Sequence, residues 1–123
     1  MGQERKRLTV PDLKARKRAE EKVVMVSVPD YPCAVWAERA GIDIAAVGGS
    51  LGMTKYGHAN TLPVSVDMMI QQAQAVRRGA SNCMLLVAMP YGSYATEEIG
   101  VLNAVRLRKE GGADVISDAE PCL

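Results

Sequence analysis

The chain has 123 residues, enough for one domain with a real core but too few for a large enzyme architecture. Its 48% hydrophobic and 24% charged residues are ordinary for a globular domain and exclude disordered, collagenous and membrane-embedded classes. A formal net charge of +1 gives no electrostatic basis for a nucleic-acid or anionic-membrane partner.

Residues 3–22 are rich in Lys, Arg and Glu, with Pro11-Asp12 placed as a helix start and Leu13 as one of few apolar anchors. Glu4, Asp12, Glu20 and Glu21 dilute the basic charge, so residues 1–22 read as a solvated, charged N-terminal helical segment. From Val23 the period changes. Val23-Val24-Met25-Val26-Ser27-Val28 is a nearly continuous apolar run, the pattern of a strand buried on both faces. Pro29-Asp30-Tyr31-Pro32 breaks it, and Cys33 to Ala40 reads as a short helix closed by Gly41.

Ile42 to Val47 is a second strand, followed by a long glycine-punctuated loop, V-G-G-S-L-G-M-T-K-Y-G-H-A-N-T-L-P-V, over residues 47–64. Ser65 then caps a helix with Asp67 in its first turn, Met68, Met69, Ala73 and Val76 on one face, and Arg77-Arg78-Gly79 at its end. Cys83 to Met89 is a third strand, Pro90 to Ala95 another loop, and Thr96-Glu97-Glu98 starts a helix that stops at Gly111-Gly112. Ala113 to Ile116 is a fourth strand. Strands alternating with helices define an α/β fold with a parallel sheet and right-handed crossovers, residues 23–123 forming a domain of about four β/α units. Ligands in such folds bind at the carboxyl ends of the strands, which puts the two loops at the functional end.

Three cysteines at wide spacing, Cys33, Cys83 and Cys122, form no C-x-x-C pair and have no activating histidine nearby. No apolar run has the roughly 18–20 residues needed to span a bilayer, and the N-terminus M-G-Q-E-R-K-R is not a signal peptide, so a cytoplasmic setting is expected. The Gly48–Gly52 run matches neither the dinucleotide nor the P-loop fingerprint. His58, the only histidine, is read as a loop-packing or substrate-proximal residue rather than a base, and Arg77 and Arg78 as capping residues rather than a phosphate clamp.

Three segments carry a more specific signal: V-G-G-S-L-G-M-T-K-Y-G-H-A-N-T-L-P-V-S-V, A-V-R-R-G-A-S-N-C-M-L-L-V-A-M-P-Y-G-S-Y-A-T, and K-E-G-G-A-D-V-I. Together, in register from about Val23 to Ile116, they resemble the ketopantoate (3-methyl-2-oxobutanoate) hydroxymethyltransferase family. The resemblance implies the first half of a (β/α)8 TIM barrel and, for the family, transfer of a hydroxymethyl group from methylenetetrahydrofolate to 3-methyl-2-oxobutanoate in pantothenate biosynthesis. It also implies Mg2+, which chelates the small 2-oxo acid and acidifies its neighbouring C–H.

Carried over residue by residue, the resemblance assigns substrate contacts to Gly49, Ser50, Ala88 and Ser117, and metal positions to Gly49, Ala88 and Ala119. The family pattern V-G-D-S-L-G has become Val47-Gly48-Gly49-Ser50-Leu51-Gly52, so Gly49 stands where an aspartate is expected. A pattern like A-D-L-P has become Val87-Ala88-Met89-Pro90, and V-K-h-E-G-G (h apolar) has become Ile116-Ser117-Asp118-Ala119-Glu120, with Asp118 and Glu120 one residue out of phase. Ser50 is retained. The catalytic base of the family belongs to the second half of its barrel, and Ser117 to Leu123 leaves the pattern in mid-motif, so a truncated chain without activity of its own is expected. A non-catalytic binding or assembly module, or a non-functional fragment, is the alternative. Four β/α units leave open sheet edges, so a homo-oligomer or pairing with another half-barrel is expected.

Overall fold

The computed structural model describes residues 5–118. Nine elements follow in chain order: α1 (Val10–Arg18), β1 (Met25–Ser27), α2 (Tyr31–Arg39), β2 (Ile44–Val47), α3 (Leu51–Thr54), α4 (Val66–Gly79), β3 (Met84–Ala88), α5 (Glu97–Lys109) and β4 (Val115–Ser117). The four strands form one parallel sheet in the order β1-β2-β3-β4, an open α/β arrangement that corresponds to part of a barrel.

Helix starts are set by side chains that satisfy otherwise orphaned backbone N–H groups. Thr9 and Asp12 form a capping box at α1, Asp30 accepts from the Cys33 N–H at α2, and Ser65 and Thr96 do the same for Met68 and Ile99 at α4 and α5. The hydrogen bond from Cys33 lowers the Asp30 carboxyl from its ordinary value, because it favours the ionised form. Helix α2 therefore begins two residues before the expected Cys33, with Pro32 in its first turn where no N–H is needed.

The core lies between the sheet and helices α2, α4 and α5. Ala45, Val47, Leu85 and Val87 alternate onto that face and meet Ala34, Met69, Ala73, Val76 and Leu107, all buried. The opposite face carries Met25, Ile44 and Met84 in one row and Ser27, Ala46, Leu86 and Val115 in the next. There Met84 lines a cleft with Leu8, Thr9 and Val10, which places the N-terminal segment beneath the amino ends of the strands.

Two sequence expectations need correction. Val23 to Val28 is not a strand buried on both faces: β1 spans three residues, and Val24, Met25 and Val26 are 50%, 57% and 41% exposed, with only Val28 in the core. The reason is position, since β1 is an edge strand bonded only to β2, and α1 buries none of its own residues. The loop after β2 is also not structureless, because it contains the single-turn α3 and closes on itself through the His58 N–H donating to the Gly52 carbonyl at 2.9 Å. No helix among the described residues is long and apolar enough to cross a membrane.

Close approach of α4 to α2 depends on a missing side chain. A Cβ on Gly79 would lie 2.8 Å from both the Ala34 Cβ and the Tyr31 carbonyl oxygen, neither of which can swing away. Gly79→Ala is therefore expected to lower stability by about 1–3 kcal/mol through overpacking, despite the better helix propensity of alanine. A urea melt checks the sign.

Candidate functional site

At the carboxyl end of the sheet, β2 runs from Val47 into Gly48-Gly49-Ser50, a tight turn held by Leu51 N–H to Gly48 O (3.2 Å) and Gly52 N–H to Gly49 O (3.0 Å). Gly52 is required there: a Cβ on it would lie 2.5 Å from Val64 Cγ2 on the returning loop. Gly49 is different. It is buried, yet it is not among the glycines with positive φ, so the backbone does not demand glycine at that position.

Ser50 is exposed, in a helical conformation at the start of α3, and its hydroxyl caps nothing. With Ser27, Pro29, Gly48, Leu51 and Thr54 it lines a cleft of about 280 Å3 between the ends of β1 and β2. Ala88 and Ser117 are not in that cleft but are paired with each other in the β3–β4 register. Because Val47 pairs with Val87, the turn starting at Gly48 begins level with Ala88. Gly48, Ala88 and Ser117 thus stand level at three adjacent strand ends, roughly 10 Å across at about 4.8 Å per strand, with Gly49 and Ser50 just beyond the first of them.

The chemistry available at these positions is sparse. Ala88 is 3% exposed and has no donor atom, and the buried Ser117 hydroxyl oxygen has no hydrogen-bond partner among the described residues. Asp118 follows β4 and is exposed, while Ala119, Glu120 and Cys122 lie outside the described residues. Among the described residues no three of His, Cys, Asp or Glu gather in a way that would hold a metal ion. Mg2+ demands near-octahedral oxygen ligands, usually including carboxylates. Gly49 and Ala88 supply none, so these residues do not fit it.

Sequence reasoning missed the groups that hold this end together. Gln72 is 5% exposed on the inward face of α4, where it accepts from Lys55 Nζ at 2.6 Å and donates to Tyr56 Oη at 2.8 Å. This ties the loop after α3 to the helix that follows it, and a glutamine inside the apolar Met69–Val76 stripe was the available signal. His58 is exposed on the same loop, its ring 6.5 Å from that of Tyr56. After β3, Ser93 Oγ donates to Pro90 O at 2.6 Å, and Asn103 of α5 donates to Ser93 O at 2.7 Å.

At the other end of the sheet the charged groups are structural. Arg77 donates to the carbonyls of Cys83 and Gly112 and to Asp114 at 2.5 Å, and Asp114 also receives Arg7, Arg108 and the Leu85 N–H. That excludes Arg77 from any ligand at the carboxyl end. Cys83 is buried, and its thiol is pushed up to about 11, first by burial and then by its hydrogen bond to Glu38, which leaves it inert near neutral pH.

A parallel sheet with its long loops at the carboxyl ends of the strands, flanked by helices on one face, is the layout of a β/α barrel protein with its ligand end at those loops. The family model described as ketopantoate hydroxymethyltransferase matches residues 7–118. The chain belongs to that family. It is 49% identical over 113 residues to 3-methyl-2-oxobutanoate hydroxymethyltransferase 1 of Methylibium petroleiphilum, covering 92% of this chain and 38% of that protein. It is 45% identical over 112 residues to the 3-methyl-2-oxobutanoate hydroxymethyltransferase of Alkaliphilus metalliredigens (90% of this chain, 40% of that protein). It is 44% identical over 112 residues to 3-methyl-2-oxobutanoate hydroxymethyltransferase 2, mitochondrial, of Oryza sativa (90% and 28%). The chain therefore spans well under half the length of these curated relatives.

Proposed function

We propose that this chain is a metal-site-deficient half-barrel of the ketopantoate hydroxymethyltransferase family, which by itself does not transfer a hydroxymethyl group from methylenetetrahydrofolate to 3-methyl-2-oxobutanoate. The observation that carries this reading is Gly49 and Ala88. Both stand at adjacent strand ends, at the positions to which the sequence resemblance assigns oxygen ligands, and Gly49 is not held there by a positive φ. A hydroxyl at Ser50 and another at Ser117 are neutral donors that cannot replace two carboxylates in drawing Mg2+ out of its hydration shell.

The test is Mg2+-dependent deuterium exchange into 3-methyl-2-oxobutanoate, which needs metal and base but no folate. The expected result is exchange at the buffer rate. Exchange above that rate, abolished by chelator, would overturn the reading.

A second reading is favoured by the intact Gly48–Ser50 turn and the cleft beside it: a non-catalytic module that binds a small 2-oxo acid through Ser50 and nearby backbone amides. It predicts chemical-shift changes at Ser50 and Thr54 on titration with 3-methyl-2-oxobutanoate, with no exchange.

A further inference from the structure

Helix α5 has two apolar faces. One is expected: Leu107 is fully buried, with Ala104 packed beside it against the core. The other is not, because Val101, Leu102 and Val105 are 58%, 59% and 53% exposed. Neighbouring α4 presents Asp67, Gln71, Gln74 and Arg78 to solvent, the polar surface a helix covering a sheet ordinarily has.

The direction of this stripe decides what can cover it. At about 100° per residue, Val105 lies about 160° from Leu107 and Leu102 about 140° from it on the other side. Both point directly away from the sheet. A further β/α unit would pack laterally, roughly 90° from the inward direction, where Glu97 and Arg108 stand. Completing a barrel beside α5 would therefore leave Leu102 and Val105 in water.

The residues of the outward line are Glu98, Leu102, Val105 and Lys109, spaced four, three and four apart, the spacing of a short coiled-coil seam. All four are exposed. Read backwards, the line is its own complement. An antiparallel second copy places Leu102 against Val105 of the partner subunit, and Glu98 against Lys109 of the partner subunit, with both contacts repeated by the two-fold axis. A parallel copy would set Glu98 against its own equivalent and Lys109 against its own.

We propose that the outer face of α5 is a homotypic interface, occupied by α5 of a second copy of this chain packed antiparallel across a two-fold axis. One helix pair buries less than the roughly 1,200 Å2 that separates weak from standard interfaces, so the dimer is weak and concentration-dependent.

Sedimentation equilibrium of the full chain at roughly 100 µM and above, where micromolar affinities are populated, tests this. The mass is expected to rise from 13.2 kDa towards twice that value with concentration. Leu102→Lys should weaken association at least tenfold, while Gln74→Lys on α4 leaves it unchanged. Glu98→Lys and Lys109→Glu should each weaken it, and the double variant E98K/K109E should recover it, because the reversed charges again face each other. Circular dichroism checks that these surface changes leave the fold intact. A chain that stays monomeric overturns the proposal. So does association that survives Leu102→Lys, as contacts through the β1 or β4 edges would, and so does a double variant no better than its singles.

Discussion

Asp114→Ala is expected to lower stability by about 3–5 kcal/mol, the cost of breaking a largely buried ion pair from one side. The Asp114 side chain is only 15% exposed and lies 2.5 Å from Arg77, which is itself 18% exposed. Removing the carboxylate leaves the Arg77 charge uncompensated and also strips the Leu85 N–H of its acceptor, while the Asp114 N–H keeps its bond to Leu85 O. Domains of this size are stable by only about 5–15 kcal/mol, so the variant stands near the limit of folding. The control is Asp67→Ala, which breaks a 2.7 Å pair with Arg106 at a site where the side chains are 79% and 41% exposed. Water screens that pair, and its loss should cost far less than that of the buried pair. Urea melts of both variants check the contrast; equal losses would mean that burial does not govern these pairs.

On the proposed reading, carboxylates placed at Gly49 and Ala88 should create Mg2+ dependence where the native chain has none. In Gly49→Asp/Ala88→Asp, two carboxylates would share one buried end of the sheet, and their repulsion and desolvation are expected to lower the melting temperature in metal-free buffer. Mg2+ at ten times its Kd should return about 1.4 kcal/mol, or several degrees, by mass action. The native chain should show no such shift at matched ionic strength. Gly49 has no left-handed backbone to be strained by a side chain, but both it and Ala88, which is 3% exposed, are buried, so each substitution loads the fold. A native chain that Mg2+ stabilises as strongly as the double variant would show that the ligands come from elsewhere.

Much of this molecule was legible before its structure. Capping residues are local devices, so Ser65 and Thr96 mark the starts of α4 and α5 from sequence alone. Strand periodicity placed β2 and β3, and the resemblance carried by residues 47–66 and 75–96 pointed to the family. Side-chain chemistry is also written in the chain directly, and no fold can give Gly49 or Ala88 a carboxylate.

What the sequence did not disclose depends on residues far apart along it. Arg7 and Asp114 are separated by 107 positions and Arg77 and Asp114 by 37, so the network that anchors the amino end of the sheet has no local signature. The apolar run at Val23–Val26 reads as buried because periodicity reports what a strand can bury, whereas its exposure follows from an edge position that only the strand order sets. The outward stripe of α5 was hidden for the converse reason. An apolar helix reads as core until Leu107 is seen to point one way and Leu102 and Val105 the other, and that direction exists only once the helix is laid against its sheet.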